Sequence, residues 1–465
     1  MKILVLHGSP KGDISVTMQY IKYLEVCFPE HEWNTVLVGS MIRSLEKEHD
    51  RFDAVMEDVV KADMIVWSFP VYHLLVPYQV KRFIELIGER GAAGAFNGKY
   101  AMALTTSIHF MDHTARNYIH AVCEDLGMQF GGTFSAEMND LLKKRGQMAW
   151  CGFMKHLIDD VMKKRVLPKA FLPISKPSWN YIPVSPVSKT DPSGLKVSLI
   201  ADLSSGGNVR GMADRLKACL GIEPIDISRI DIQNGCSGCC HCGFDNCCIY
   251  DGTDGFKEAF VKNVMEADVV IFLGTIHDRY LSSAFKKFFD RSFVFNHAPL
   301  YWGKQVAWLV SGPLTQIPNL RQIMEIYPGF SRGNLVGIVS DEGGSSQELD
   351  ALIDSLAARC ISLARDKIIL PQDFLGFGGM KVFRDSIWGE LRMVFPQDYR
   401  LYRRLKLFDF PQKKIFNRIV VPLASLMLKI SFIRKAFLKN SKRGMIMSHA
   451  AVVKKARSVQ EQTAV

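Results

Sequence analysis

Short apolar runs alternate with helical-period stretches along most of this chain, and Gly, Ser and Pro mark the joints between them. Residues 3–6 form one such run, which leads into the loop GSPKGDISVT and, from Ser15, into a helical pattern. Residues 64–69 form a second, entering Pro-Val-Tyr and a helix that carries Val80, Phe83, Ile84 and Ile87 at helical spacing. Residues 100–106 form a third, ending in Thr-Thr-Ser ahead of another helix. Strands that alternate with helices in this way predict an α/β fold with a doubly wound parallel sheet covered on both faces.

The pattern stops over residues 171–194, FLPISKPSWNYIPVSPVSKTDPSG, where five prolines and several serines leave no period and predict a linker. It then resumes in the same order: a strand over 197–201, the loop DLSSGGNVRG, a helix over 212–220, a strand over 269–273, the loop GTIHDRY and a helix over 282–293. PVYHLLVPYQVKRFIE at 70–85 aligns without a gap with TIHDRYLSSAFKKFFD at 275–290. An internal duplication is the simplest explanation. The expected domains are residues 1–170 and 195–375, joined by the linker 171–194 and followed by a tail over 376–465.

A length of 465 residues exceeds what one core organises, and 48% apolar with 23% charged residues is ordinary for a globular protein. MKILVLHGSPKG lacks the longer apolar core and cleavage site of a secretory signal, and no uninterrupted apolar run reaches the roughly 18 residues of a spanning helix. Cys27, Cys123, Cys151, Cys219 and Cys360 are scattered singly, as thiols are in reducing compartments. A cytoplasmic location is expected. The net charge of +11 is uneven: from Gly376 onward there are 19 Lys/Arg against 5 Asp/Glu, and before it 39 against 42.

In an open parallel sheet, ligands sit beyond the carboxyl ends of the strands. The first loop offers Gly8 and Gly12 for close backbone approach, the hydroxyls of Ser9, Ser15 and Thr17, the cation of Lys11, and a helix N-terminus that favours a phosphate. Neither GxxxxGK[ST] nor GxGxxG occurs, which argues against a nucleoside triphosphate and a primary dinucleotide site. Phe69, Pro70, Val71 and Tyr72 present an aromatic ring and rigid backbone to a flat heterocycle, and Thr105, Thr106 and Ser107 present donors to its edge. Three such loops on one sheet edge fit a phosphate-bearing planar cofactor.

In that order, GSPKGDISVT, SFPVYHLLVPYQVKRFIE and GKYAMALTTS resemble the three flavin-contacting loops of the flavodoxin-like NADPH-dependent FMN reductases, over about residues 1–165. The resemblance implies two tandem flavodoxin-like domains and FMN, with its phosphate on residues 8–17 and its ring near 69–72 and 105–107. The second copy resembles the family less closely, because Thr275, Ile276 and His277 stand in place of Pro-Val-Tyr and the third loop reads SGPL. The sequence leaves open whether that copy binds flavin.

Six of the eleven cysteines fall within NGCSGCCHCGFDNCC, at residues 236–248. A disulfide knot, a zinc site and an iron–sulfur cluster compete for them. Cys236, Cys239 and Cys242 are spaced as in cubane ferredoxin runs, with Cys247 or Cys248 as the fourth thiolate, whereas structural zinc sites place two close pairs farther apart. Such compact motifs, followed here by Asp251, Asp254 and the strand ADVVIF, resemble those of the iron–sulfur flavoproteins, which implies a 4Fe–4S cluster near a flavin. Because the first copy lacks these cysteines, the expectation is a covalent pseudo-dimer in which the cluster of one half serves the FMN of the other.

The function expected is an NAD(P)H-dependent oxidoreductase passing electrons between FMN, the cluster and a small organic or ferredoxin-like acceptor. The alternatives are an electron carrier docked to a membrane or enzyme complex and a zinc-stabilised binding module. His277 is a candidate proton donor near neutral pH. His109 and His113 are candidates to line a pocket, and Asp112 to cap the helix after Thr-Thr-Ser. No catalytic residue is named by motif, and no Ser-His-Asp or HExxH pattern supports hydrolysis. The basic tail carries an apolar core at 419–428 that suits an anionic membrane surface or a packed helix. No nucleic-acid-binding motif is found, and a homo-oligomer is compatible with the pattern.

Overall fold

The computed structural model describes residues 1–176 and 179–463, so that Pro177 and Ser178 of the linker and the last two residues of the tail lie outside the described residues. Strands β1 (Lys2–His7), β2 (Glu32–Val36), β3 (Met64–Pro70), β4 (Tyr100–Ser107) and β5 (Gln129–Glu137) form a parallel sheet ordered β2-β1-β3-β4-β5. Strands β6 (Val197–Ala201), β7 (Ile225–Asp226), β8 (Val269–Thr275), β9 (Gln305–Ser311) and β10 (Asn334–Ser340) form a second parallel sheet with the equivalent order β7-β6-β8-β9-β10. This is the doubly wound flavodoxin-like topology, twice. β1, β3, β4, β8 and β9 are buried on both faces, which is why they read as continuous apolar runs.

The halves meet through helices Tyr78–Glu89 and Ser283–Arg291, the two segments that align in sequence. Asp290, near the end of the second, accepts the Tyr78 N–H at the start of the first at 2.7 Å, and Glu85 reciprocally accepts the Ser283 N–H at 2.7 Å. Each carboxylate thus caps the partner helix, where the dipole favours negative charge. Each also pairs with a lysine one turn earlier: Lys81 bonds to Glu85 at 2.6 Å and to Asp278 at 3.0 Å, and Lys286 bonds to Asp290 and donates to the Tyr72 carbonyl at 2.9 Å. The same surface on both halves makes the same capping contacts, as in a two-fold homodimer joined into one chain.

Burial raises the Glu85 pKa, but the Lys81 ammonium and the bonds from Lys81 and Ser283 outweigh it and bring it down to about 2 from an ordinary 4.5. The folded value lies below the unfolded one, so its contribution to stability is complete above pH 4.5 and is lost as pH falls towards 2. The urea midpoint of the protein is expected to fall across that window, and Glu85→Gln to flatten part of the slope. Equal slopes for both proteins would refute this role.

One compact unit runs from Met1 to Leu401 and a second from Tyr402 to Val465. Residues 376–401, expected as the start of the tail, therefore belong with the first unit: helix Phe374–Trp388 packs on helix Pro318–Phe330 and buries Met380, Phe383 and Ile387. The second unit carries helices Ile415–Met427 and Ser431–Thr463. Among the described residues no single helix is long and apolar enough to cross a membrane.

Candidate active site

The chain leaves β1 at Gly8, whose N–H bonds to the Ser68 carbonyl at 2.7 Å. A Cβ there would lie 2.0 Å from Val80 Cγ2, so this close approach to the interface helix requires glycine. The loop is braced from below by buried His7, with Nδ1 3.2 Å from Ser68 Oγ and Nε2 3.0 Å from Ser15 Oγ. Burial lowers the His7 pKa to about 4, leaving the ring neutral. Ser15 in turn accepts the Met18 N–H at 3.1 Å and caps helix Val16–Cys27.

The second and third loops are tied to the first. Thr17 Oγ1 lies 2.6 Å from Thr106 Oγ1, and the Val71 N–H donates to the Thr106 carbonyl at 3.1 Å. Tyr72 and Leu75 exchange backbone bonds around His73 and Leu74, which adopt left-handed φ of 38° and 67°. Two consecutive non-glycine residues in that region hold strain, a feature that concentrates at functional sites.

These loops open onto a cavity of about 350 Å³ at the carboxyl ends of β1, β3 and β4. Ser9, Lys11, Ser15, Thr17, Pro70, Val71, Tyr72, Thr106 and Ser107 line it. Phe69 and Thr105, also expected there from sequence, are wholly buried behind the wall: Phe69 belongs to the core, and Thr105 Oγ1 has no hydrogen-bond partner among the described residues. His109 and His113 are not among the lining residues and pair with Asp112 and Gln322. Asp112 does not cap helix His113–Asp125 through its side chain; its carboxylate is drawn instead to Ser135 and His109.

The opposite wall comes from the other half. Cys236, Gly238 and Cys240 of the cysteine loop face the cavity beside Asp290, Phe293, Asn296 and His297. Gly238, at φ +68°, crosses Tyr72 so closely that a Cβ would lie 1.9 Å from Oη. His297 Nδ1 sits 2.6 Å from the buried Asp398 carboxylate, and its ring packs between Phe383 at 4.6 Å and Phe395 at 5.0 Å. His73, Asp290, His297 and Asp398 escaped sequence reading because no local motif links residues as distant as 297 and 398. The repeated Lys-x3-acid pairs in the aligned segments were the available signal for Asp290. Among the described residues, buried His73 Nε2 and Asn296 Oδ1 have no hydrogen-bond partner, although both residues line the cavity.

None of the eleven cysteines is joined in a disulfide. Burial pushes the Cys236 thiol far above its ordinary range and Cys242 up to about 12. Cys242 Sγ lies 3.5 Å from the Phe293 carbonyl, and Asn296 Nδ2 donates to the Cys242 carbonyl at 3.0 Å, which fastens the loop to the cavity wall. Cys239 and Cys247 are exposed and Cys248 is half-buried. Among the described residues no three His, Cys, Asp or Glu side chains form a group that holds a single metal ion. Asp251 and Asp254 are engaged with Lys257 and Arg291.

The corresponding site of the second half is occupied by its own chain. Asp202 takes the place of Gly8, its N–H bonding to Leu273 as that of Gly8 bonds to Ser68, and its buried carboxylate binds Ser204 and Ser282. Asp341 collects Asn208 Nδ2 at 2.9 Å, Ser311 Oγ at 2.7 Å and the Gly312 N–H at 2.8 Å. The linker closes over them: Trp179 Nε1 donates to the Asp341 carbonyl at 2.8 Å and the Tyr181 N–H to Asn208 Oδ1 at 2.8 Å. His277 Nε2 lies 2.8 Å from Ser205 Oγ, away from the cavity, and burial lowers its pKa.

Residues 1–149 match the family model described as flavodoxin-like fold, and residues 196–336 that described as NADPH-dependent FMN reductase. An FMN-dependent NADH:quinone oxidoreductase of Azospirillum brasilense is 28% identical over 116 residues, 20% of this chain and 56% of that protein. The chain thus spans about half the length of this curated relative. Similar solved structures include an NADH:FMN oxidoreductase in its apo form (15% identity, TM-score 0.30, 34% of this chain and 87% of that one). FerB, a flavoenzyme NAD(P)H:(acceptor) oxidoreductase from Paracoccus denitrificans, is another (15% identity, TM-score 0.29, 35% and 97%). The chain therefore carries two flavodoxin-like domains in tandem, of which residues 1–149 match the flavodoxin-like fold model and residues 196–336 the NADPH-dependent FMN reductase model.

Proposed function

We propose that this chain is an FMN-dependent NAD(P)H oxidoreductase with one FMN between its halves, a 4Fe–4S cluster on the adjoining cysteine loop, and a small organic or protein acceptor. The observation that carries this reading is the cavity in which three loops of the first half face the cysteine loop of the second. The residues present fit FMN. Ser9, Ser15 and Thr17 surround a helix N-terminus that favours a phosphate, with Lys11 adding positive charge. Pro70 to Tyr72 and Thr106 to Ser107 flank the space for the ring, and the unpartnered His73 Nε2 and Asn296 Oδ1 offer bonds to its polar edge. Burial beside Lys286 lowers the His73 pKa to about 3, so this imidazole serves as a neutral hydrogen-bonding group.

When bound, FMN exchanges two electrons with a nicotinamide or one at a time with a cluster. The chain orients it and excludes water with Phe293, Phe330, Phe383 and Phe395. Asp398 holds a proton on Nδ1 of His297 and so sets the tautomer of an imidazole on the cavity wall. Cys236, Cys239, Cys242 and either Cys247 or Cys248 are the proposed cluster ligands; the donor set is all sulfur on one loop, and Cys236 reaches the cavity. With Asp202, Asp341 and the linker in the second site, one FMN per chain is expected.

The test is the flavin, iron, sulfide and zinc content of protein purified without oxygen, followed by addition of NADH or NADPH. One FMN and about four iron and four sulfide per chain, with bleaching by a nicotinamide, are expected. FMN without iron would remove the cluster and leave the flavin reading. Bleaching only by reduced ferredoxin would make the protein a carrier, and zinc without flavin would overturn the proposal.

A further inference from the structure

Helix Ile415–Met427, IFNRIVVPLASLM, has a broad apolar face: only Asn417, Arg418 and Ser425 are polar among its 13 residues, and at helical spacing they share one side. None of them is buried: Phe416 is 75% exposed, and Ile419, Val421, Leu423 and Leu426 are also open. The following helix, Ser431–Thr463, exposes Phe432, Phe437, Leu438, Met445, Ile446 and Met447. A broad apolar helix face left open needs a cover and marks an interaction site.

Charge identifies the cover. Residues 411–460 contain twelve Lys and Arg and no Asp or Glu. A second copy of this unit would bring the same positive charge against it, whereas an anionic lipid surface supplies both an apolar layer and the opposite charge. The apolar helix is about 20 Å long, short of the roughly 30 Å of a hydrocarbon core. It suits the interface of a bilayer rather than a crossing.

We propose that the second unit docks on an anionic membrane surface, with Ile415–Met427 lying among the outer acyl chains and the Lys and Arg side chains before and after it on the headgroups. This placement is independent of the redox reading and holds whatever the cavity binds.

The test is cosedimentation of the full-length protein with vesicles of phosphatidylcholine alone and of equal parts phosphatidylcholine and phosphatidylglycerol. Retention by the mixed vesicles, at least tenfold weaker on the neutral ones, is expected. The variant carrying Ile419→Ser, Val421→Ser and Leu423→Ser is expected to lose at least tenfold of that binding. Its substitutions lie on exposed positions outside the first unit, and unchanged circular dichroism confirms folding. Protein left in the supernatant with mixed vesicles would overturn the proposal. So would equal binding by the serine variant, or complete displacement from vesicles by duplex DNA, which would make the unit a polyanion binder. A stable dimer that ignores vesicles would show that a second copy covers the helix.

Discussion

Lys81→Met is expected to destabilise the first unit by about 3–5 kcal/mol, the loss typical when one partner of a buried ion pair is removed. The ammonium is wholly buried between Glu85 and Asp278, and Tyr118 also donates to Asp278 at 3.0 Å. Without Lys81, Asp278 loses its cation and Glu85 keeps only Arg82, whose Nη1 lies 3.3 Å from Glu85 Oε2. Adding Glu85→Gln and Asp278→Asn to Lys81→Met is expected to recover part of the loss, because no uncompensated charge then remains. Urea unfolding at neutral pH measures both. A loss under about 1 kcal/mol, the value of an exposed pair, would mean that the halves do not depend on this network.

Gly8→Asp, which installs the residue that the second half carries at the equivalent position, is expected to weaken FMN binding by at least about 100-fold, or about 2.7 kcal/mol. Two effects act together. The new Cβ would fall 2.0 Å from Val80 Cγ2, forcing the loop away from the helix, and the carboxylate would add negative charge next to the loop proposed to hold the phosphate. Gly8→Ala with Val80→Ala separates the effects, since it relieves the contact without adding charge and is expected to keep most of the affinity. Fluorescence titration of flavin-free protein with FMN reads each variant. Unchanged affinity in Gly8→Asp would place the phosphate elsewhere.

Both predictions concern residues whose types were visible in the sequence while their surroundings were not. Strands β1, β3, β4, β6 and β8 were legible because burial on both faces leaves a continuous apolar run. β2, EWNTV, is an edge strand with no residue fully buried, and β7 has two residues, so neither leaves a strong periodic signal. Nine of the eleven candidate cofactor residues line the cavity because they sit at the carboxyl ends of strands or in the turns and first helical residues that follow, whose direction the topology dictates. Phe69 and Thr105 lie one residue further back in their strands and are wholly buried, a depth that local spacing does not encode.

By itself the sequence determined the two α/β units, their duplication, the polar loops at one sheet edge and the thiol-rich loop, because each is written in local spacing. Only the tertiary structure decided that the cysteine loop of one half faces the loops of the other. It also decided that His297 and Asp398 meet beside that cavity, and that the linker and two aspartates fill the second site. The first of these follows from two duplicated interface helices that cap each other, and all three are long-range pairings that no run of neighbouring residues encodes.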